Sequence, residues 1–296
     1  MGKVLVFSGP TGVGKTSFAI QVAKHYGTEI ISTDSRQIFS ELNIGVARPT
    51  IDELAEVPHH FIASHSIHDP ITAGIFKEAA RARIQKLFQK HEVVVVVGGS
   101  MLYTDALLYG LDDLPSDKKI KEKFEVLLKE KGISFLQAQL EIQDQEYFLE
   151  VDKHNPHRLI RALEVMEITK VPFSQLRRGE KEMLNAEAHY FFLNRDRAEL
   201  YNRINTRVLQ MFENGLVEEV ESLQANAHLN ALNTVGYKEV FSMLRGELNE
   251  QSAIELIQQH TRNYAKRQMT WYRNRTDVKS LDLSNLSVTE FLNEFL

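Results

Sequence analysis

The feature that most constrains the fold is a glycine-rich turn between an apolar run and a helical pattern near the N-terminus. The turn, residues 9–16, reads GPTGVGKT and matches the pattern G-x-x-x-x-G-K-[ST] in full. Lys3–Ser8 before it is typical of a buried strand, and residues 16–26 after it are typical of a helix. Such a loop turns backbone N–H groups toward anionic oxygens, and its lysine adds a positive charge. The sequence therefore predicts a phosphate-binding loop in an α/β domain.

Two later segments predict further strands of the same sheet. Residues 93–97 are consecutive valines closed by two glycines, and residues 28–39 (TEIISTDSRQIF) contain a short strand that ends near Ser32. Residues 76–91 between them carry apolar side chains at helical spacing. Apolar strands alternating with helices indicate a parallel sheet covered on both faces. Ligands bind such sheets at the carboxyl ends of the strands, where the glycine-rich loop and the segments after both strands converge.

The pattern changes after about Leu111, and a strand followed by a helix returns at residues 189–212. We predict an α/β fold in which a P-loop parallel-sheet core covered by helices comprises residues 1–110 and 189–296. Residues 111–188 are predicted to form a mostly helical insertion domain, and the C-terminal region is predicted to be helical.

Composition narrows the class of protein. The chain has 296 residues, a net charge of −5 and no cysteine, which excludes disulfides, thiolate zinc sites and a cysteine nucleophile. No apolar run approaches the ~20 residues of a membrane span. Because a strand is predicted almost at the N-terminus, we expect no signal peptide. We expect a cytoplasmic protein that does not contact a membrane, and a monomer, since no assembly motif is visible.

Two segments at the predicted sheet edge carry candidate chemistry. In TDSRQ, residues 33–37, Asp34 could accept a proton or hold Mg²⁺; alternatively, it caps the next helix through an Asp–Ser turn. The valine strand ends in Gly98, Gly99 and Ser100, without the acid that nucleotide-hydrolysing P-loop proteins use to hold Mg²⁺. Ordinary ATP hydrolysis is therefore not the predicted chemistry.

Two basic segments could contact a nucleic acid. Residues 152–165 predict a helix that starts at Asn155-Pro156 and places Arg158 and Arg161 on one face; alternatively, this is a solvated helix paired through Glu164. Residues 261–275 contain five Arg or Lys, no acid and three aromatic residues. That mixture suits phosphate contact with base stacking, but an amphipathic helix with its aromatics in the core explains it too.

Four histidines, His59, His60, His65 and His68, lie in a turn-like region without convincing ligand spacing, so we predict a structural role for them rather than a metal site.

Taken together, these segments resemble the tRNA dimethylallyltransferases, also called tRNA isopentenyltransferases. The resemblance runs in family order along almost the whole chain, through GPTGVGKT (9–16), DSRQIF (34–39), VARPT (46–50), HHFI (59–62), VVGGSMLY (96–103), LPSD (114–117), NPHRLIRALEV (155–165), NRINTRVLQMFENGLVEEV (202–220), VGYKE (235–239) and RNYAKRQMTWYR (262–273). Ser100 stands where the family usually has Thr, Arg48 where it has Lys, and His157 where it has Arg or Gln. Since the chain has no cysteine, we expect it to lack the zinc-finger extension of eukaryotic members.

The resemblance implies transfer of a dimethylallyl group from dimethylallyl diphosphate to N6 of adenosine 37 in tRNAs reading codons that begin with U. It implies that Asp34 is the base, that Ser100 aims the adenine amine, and that Lys15, Arg207 and a Mg²⁺ ion on Thr16 stabilise the leaving diphosphate. The residues expected to bind the diphosphate are Gly9, Pro10, Thr11, Gly12, Val13, Gly14, Lys15 and Thr16.

The resemblance also implies a tRNA-binding set around the anticodon stem-loop, whose target base must leave its stack. The residues expected to contact tRNA are Asp34, Ser35, Arg36, Gln37, Ser100, Lys121, His157, Arg158, Leu159, Ile160, Arg161, Thr234, Gly236, Tyr237, Lys238, Lys266, Arg267, Gln268, Trp271 and Arg273. Three alternatives remain at this point: a transferase acting on free adenine nucleotides, a small-molecule P-loop kinase, and a non-catalytic RNA-binding module.

Overall fold

A computed structural model describes residues 2–177 and 181–295. The chain divides into two compact units, of which the second is Tyr109–Glu182 and the first contains the described residues on either side of it. The predicted insertion, residues 111–188, extends too far toward the C-terminus. Glu187 already pairs with Lys3 in the sheet, and exposure of Glu187 and Ala188 hides this strand start from an apolar pattern.

The first unit contains the predicted parallel sheet. Six strands lie in the order β3-β2-β4-β1-β5-β6, and every neighbouring pair is parallel. Their bounds are β1 Lys3–Ser8, β2 Ile30–Ser32, β3 His59–His60, β4 Val93–Gly98, β5 Glu187–Asn194 and β6 Lys279–Asp282. The short edge strands β3 and β6 were not predicted, because neither has an apolar run; β6 interrupts the C-terminal region predicted as helical.

Helices surround this sheet. Those of the first unit are α1 Lys15–Tyr26, α2 Ile51–Glu56, α3 Ala73–Leu87, α4 Met101–Tyr109, α10 Arg197–Glu213, α11 Leu216–Ser222, α12 Tyr237–Leu244, α13 Glu250–Tyr272 and α14 Val288–Phe295, with 3₁₀ turns at Gln224–Asn226 and Asn230–Leu232; α4 ends in the first residue of the second unit. Helix α3 begins earlier than the predicted residue 76, because Thr72 caps it by accepting from the Ile75 N–H, and it ends at Leu87 rather than at residue 91.

The core beneath the glycine-rich loop is aromatic. The rings of Phe7 on β1, Phe18 on α1, Phe191 on β5 and Phe291 on α14 contact one another, with centroids 5.1–5.6 Å apart. All four side chains are buried, and such pairs stabilise a core beyond their area burial. This cluster fixes β1 against α1, and so holds both ends of the loop between them.

The second unit is a separate helical bundle with its own apolar core. Its helices are α5 Lys118–Lys131, α6 Ile133–Gln143, α7 Gln145–Glu150, α8 Pro156–Thr169 and α9 Phe173–Leu176. Helix α8 begins as predicted, with Asn155 accepting from the Arg158 N–H and Pro156 in the first turn. Among the helices of both units in the described part of the chain, none combines the length and apolar composition that a membrane span requires.

Candidate functional site

The glycine-rich loop connects the end of β1 to the start of α1. Gly14 caps α1 with φ 105°, a left-handed conformation that favours glycine. A Cβ on Gly9 would lie 2.4 Å from the Leu193 carbonyl oxygen, so the loop passes too close to β5 for a side chain there. The loop therefore points the N-terminus of α1 into the site, where it favours anionic ligands.

Lys15 lies folded over this loop. Its Nζ donates to the carbonyl oxygens of Gly9 and Pro10, at 3.0 Å each. Burial lowers the pKa of Lys15 to about 8; the nearby Asp34 carboxylate opposes this shift, and Arg207 adds to it. A positive charge so poorly solvated gains strongly from an anion in the site.

Three arginines hold the loop from the side of β5 and α10. Arg195 Nε donates to the Val13 carbonyl and Arg203 Nε to the Gly12 carbonyl, both at 2.8 Å, and Arg207 Nη2 donates to the Thr11 hydroxyl. Burial lowers the pKa of Arg207 to about 10, against the opposing effect of Asp34. Neither Arg195 nor Arg203 was predicted from the sequence, although Arg203 lies one helical turn before Arg207 on the same face of α10.

Asp34 follows β2 at the same edge of the sheet. Its Oδ1 accepts from the N–H groups of Arg36 and Gln37, at 2.9 and 3.2 Å. The Asp–Ser turn that the sequence offered as an alternative is therefore present, but residues 35–38 form turns and the next helix begins only at Ile51, so Asp34 does not cap a helix. Within residues 2–177 and 181–295, no donor contacts Oδ2, so the turn and a second role for the carboxylate are compatible.

Ser100 lies between the end of β4 and α4, close to this turn. Its hydroxyl accepts from the Ser35 N–H at 2.9 Å and donates to the Ser35 hydroxyl at 2.8 Å. Below them, the buried hydroxyls of Thr33 and Thr104 share a hydrogen bond of 2.8 Å. These bonds fix the segment after β2 to the segment after β4.

Two cavities of the first unit meet at this point. A cavity of about 590 Å³ contains the loop residues and the end of β4, and one of about 370 Å³ contains Ser35, Arg36 and Ser100. The residues that line both are Thr11, Asp34, Val46, Ala47, Arg207 and Tyr264. The site therefore offers a phosphate-binding cavity and a second cavity, with one carboxylate where they adjoin.

The predicted tRNA residues of the first unit fall into different environments. Thr234, Gly236, Lys238 and Arg267 line the second cavity. Lys266, Trp271 and Arg273 are exposed on and just after α13, outside the lining of both cavities, and the Trp271 indole donates to Asp105 at 3.2 Å.

Other residues of the predicted tRNA-binding set form hydrogen bonds within the protein. Arg36 donates to the carbonyls of Asn230 and Ala231, and Gln37 donates to those of Val46 and Ala47. The side chains of Tyr237 and Gln268 are buried, so in this structure neither has the surface position that the predicted RNA contact requires; Gln268 lines the first cavity.

The second unit shows a similar division. His157, Arg158 and Lys121 are exposed. Leu159 and Ile160 belong to the apolar core, so their side chains do not have the surface position that RNA contact requires.

Arg161 is bonded inside its own unit. Its guanidinium donates to the buried Glu164 at 2.8 Å and to the carbonyls of Pro115 and Leu114. The pairing through Glu164 that the sequence left open is therefore present.

The described residues contain no group of three or more histidine, aspartate or glutamate side chains arranged to hold a metal ion. Thr16, the residue predicted to hold Mg²⁺, lines the first cavity beside the phosphate loop, and Asp34 lines it too.

The fold is a parallel sheet with a P-loop, and the site has an acid after β2 and two adjoining cavities. These features define a P-loop protein that binds two ligands, one of them anionic. A family model described as IPP transferase matches residues 37–275. The chain belongs to the IPP transferase family.

Relatives and solved structures agree with this assignment. The chain is 46% identical over 284 residues to the tRNA dimethylallyltransferase of Christiangramia forsetii, covering 96% of this chain and 94% of the relative. It is 42% identical to tRNA dimethylallyltransferase 1 of Bacteroides fragilis, covering 93% and 92%.

Among structures, the full-length tRNA isopentenylpyrophosphate transferase of Bacillus halodurans matches with 30% identity and a TM-score of 0.72, covering 99% of this chain and 95% of that one. A eukaryotic dimethylallyltransferase acting on tRNA matches with 25% identity and a TM-score of 0.80, covering 96% and 75%.

Proposed function

We propose that this protein transfers the dimethylallyl group of dimethylallyl diphosphate to N6 of adenosine 37 in tRNAs that read codons beginning with U. The observation that carries the proposal is the position of Asp34, which lines both adjoining cavities and interacts electrostatically with Lys15 and Arg207. The family to which the chain belongs supports the same reaction.

The first cavity is the proposed donor site. Its loop amides, Lys15 and Arg207 would bind the diphosphate, and Val46, Ala47 and Val97 supply apolar surface for the five-carbon group. Diphosphate leaves with the electron pair of the C1–O bond, so positive groups fixed beforehand in a partly dry site lower the barrier to its departure. Binding energy from the diphosphate also overcomes the cost of holding Lys15 charged while buried.

The second cavity is the proposed site of the adenine. The exocyclic amine is a poor nucleophile, because its lone pair is delocalised into the ring. N6 attacks C1 of the donor, the C1–O bond breaks, and Asp34 accepts the proton that N6 loses. Ser100, held by Ser35, would orient the amine. No residue is required to activate a water, which fits the strand end at Gly98-Gly99-Ser100.

A Mg²⁺ ion is part of the proposal. The Thr16 hydroxyl is a hard oxygen donor of the kind Mg²⁺ prefers, and it fits a site completed by phosphate oxygens of the donor. The ion would supply further positive charge to the leaving diphosphate.

The anticodon stem-loop would extend from the second cavity. Lys238 and Arg267 line that cavity, while Lys266 and Arg273 in the first unit and Lys121, His157 and Arg158 in the second offer exposed positive or hydrogen-bonding groups. Charged contacts with phosphates predict binding that weakens steeply with salt. We propose that the protein acts in the cytoplasm, where tRNA is its substrate, and that it acts as a monomer.

The test uses unmodified tRNA transcripts, purified protein, Mg²⁺ and dimethylallyl diphosphate, followed by nuclease digestion and mass spectrometry of the nucleosides. The proposal predicts N6-isopentenyladenosine at a single position, next to the anticodon on its 3′ side. Transfer to another position would contradict the assigned target, and absence of transfer to any RNA would contradict the proposed reaction.

A further inference from the structure

Gln268 on α13 connects the two sides of the site through one buried amide. Its side-chain oxygen accepts from the Thr11 N–H at 2.9 Å, and its nitrogen donates to the Gly99 carbonyl at 2.8 Å. The residue is 1% exposed. A single side chain thus bonds the phosphate loop after β1 to the turn after β4.

The two residues that Gln268 contacts, Thr11 and Gly99, both lie beside residues with proposed roles in the reaction. Thr11 lies in the phosphate loop and accepts a hydrogen bond from Arg207. Gly99 precedes Ser100, whose hydroxyl is bonded to Ser35 beside Asp34. The pairing of β1 with β4 fixes their separation as far as Ser8 and Gly98. Beyond these strand ends, this amide holds the diphosphate-binding loop against the groups that face the adenine.

The fit around Gly99 is close. A Cβ on Gly99 would lie 2.7 Å from Gln268 Nε2 and 3.6 Å from Lys15 Nζ. The turn therefore has no room for a side chain while Gln268 keeps its position, and any larger residue would displace the amide.

The chemistry of the link selects an amide. One acceptor must contact the Thr11 N–H and one donor must contact the Gly99 carbonyl, and the amide of Gln offers the two on separate atoms of one planar group; Asn offers the same group on a shorter side chain. Glutamate would keep the acceptor but lose the donor. Methionine would leave the Thr11 N–H without its partner and the Gly99 carbonyl with the longer bond from the Tyr264 hydroxyl, at 3.3 Å.

We propose that Gln268 is a positioning residue that sets the separation of donor and acceptor sites; this rests on the proposed transfer reaction. Burial of Gln268 favours this positioning role over the tRNA contact expected from the sequence. Its loss misplaces the two substrates relative to each other while each still binds. Misplacement by about 1 Å can cost about 10²-fold in rate.

The experiment compares Gln268→Met and Gln268→Glu with wild type and with Gln259→Met, a control at an exposed glutamine of the same helix. Single-turnover rates are measured with saturating dimethylallyl diphosphate and tRNA, and dissociation constants are measured separately for each substrate. Gly99→Ala is a further variant that disturbs the same link while retaining Gln268.

The inference predicts single-turnover rates lowered about 10- to 100-fold in both Gln268 variants and in Gly99→Ala, with both dissociation constants within about threefold of wild type. Gln259→Met should match wild type. Thermal unfolding identifies variants that do not fold, and if neither Gln268 variant folds, the rate of Gly99→Ala decides.

Two results would overturn the inference while leaving the reaction intact: unchanged rates in these variants, or a raised dissociation constant for tRNA at an unchanged rate. If wild type itself transfers nothing to RNA, the proposed function fails, and this inference fails with it.

Discussion

The Tyr237 hydroxyl donates a hydrogen bond to Glu219 Oε1 at 2.5 Å, and this pair holds the wall between the two cavities. The same carboxylate accepts from the N–H groups of Ile44 and Gly45, at 2.7 and 3.1 Å. Val46 and Ala47, the next residues, line both cavities. Burial, and then the Glu219 charge, raise the pKa of Tyr237, so its phenol stays a donor.

Tyr237→Phe should lower the free energy of unfolding by about 1.5–3 kcal/mol, the range for a hydrogen bond to a charged acceptor. The ring stays against Gly45, so apolar packing is retained. Denaturant unfolding measures the change, with Tyr26→Phe as the control at a partly buried tyrosine. Equal stability of wild type and Tyr237→Phe would show that the bond contributes nothing. A tRNA affinity lowered without loss of stability would instead support the contact first expected from the sequence.

Asp34→Asn should lower kcat by about 10²- to 10⁴-fold, the usual contribution of a general base. The amide oxygen of asparagine can still accept from the Arg36 and Gln37 N–H groups, so the turn is kept. Steady-state kinetics at saturating substrates measures the loss, and Asp52→Asn on the exposed face of α2 is the control. Full activity with normal product in Asp34→Ala would rule out the assigned role.

The pH dependence of donor binding should follow Lys15, whose pKa burial lowers to about 8. Below pH 8 the side chain is charged and binds diphosphate, and above it the charge is lost in the free protein. We therefore predict that kcat/KM for dimethylallyl diphosphate falls as pH rises from 7 to 9. Lys15→Arg, which stays charged, should lose this decline, and a decline of the same size in Lys15→Arg would assign it to another group.

The free energy of unfolding should also depend on the protonation of Lys15, but it should rise with pH where donor binding falls. Its folded pKa is below the unfolded value, so the unfolded chain binds the proton more tightly, and this destabilises the fold below about pH 8. The penalty is relieved as pH rises from about 8 toward 10.5. Comparison of unfolding free energies of wild type and Lys15→Met across that range measures it: the variant's advantage should shrink as pH rises.

Arg158→Ala should weaken binding to all tRNA sequences to a similar extent, as expected for a side chain that binds a phosphate. It should also reduce the slope of log K against log[salt] by about one unit, the effect of losing one phosphate contact. Arg158 is exposed at the start of α8, whereas Arg161 is bonded to Glu164 and two carbonyls. Arg161→Ala should therefore lower the stability of the second unit. Binding measured from 50 to 200 mM salt compares the two, and an unchanged slope in Arg158→Ala would exclude this contact.

The sequence was informative where local pattern determines structure. The apolar runs of β1 and β4, the glycine-rich loop and the Asn155 cap of α8 each depend on neighbouring residues, and all were predicted. Side-chain roles that depend on partners distant in the sequence were not predicted. Gln268 accepts a hydrogen bond from Thr11, 257 positions away, and Glu219 accepts one from Ile44, 175 positions away. The basic and aromatic residues of α13 indicated a functional segment, but their order in the sequence did not show which of them are buried and which are exposed.

The most direct test of the account offers labelled dimethylallyl diphosphate, with Mg²⁺ and purified protein, to three acceptors in parallel. These are an anticodon stem-loop with adenosines at positions 36 to 38, the same loop with guanosine at position 37, and free AMP. The account predicts label in the first RNA alone. Label in AMP and in neither RNA would contradict it, and would make the protein a transferase for free nucleotides.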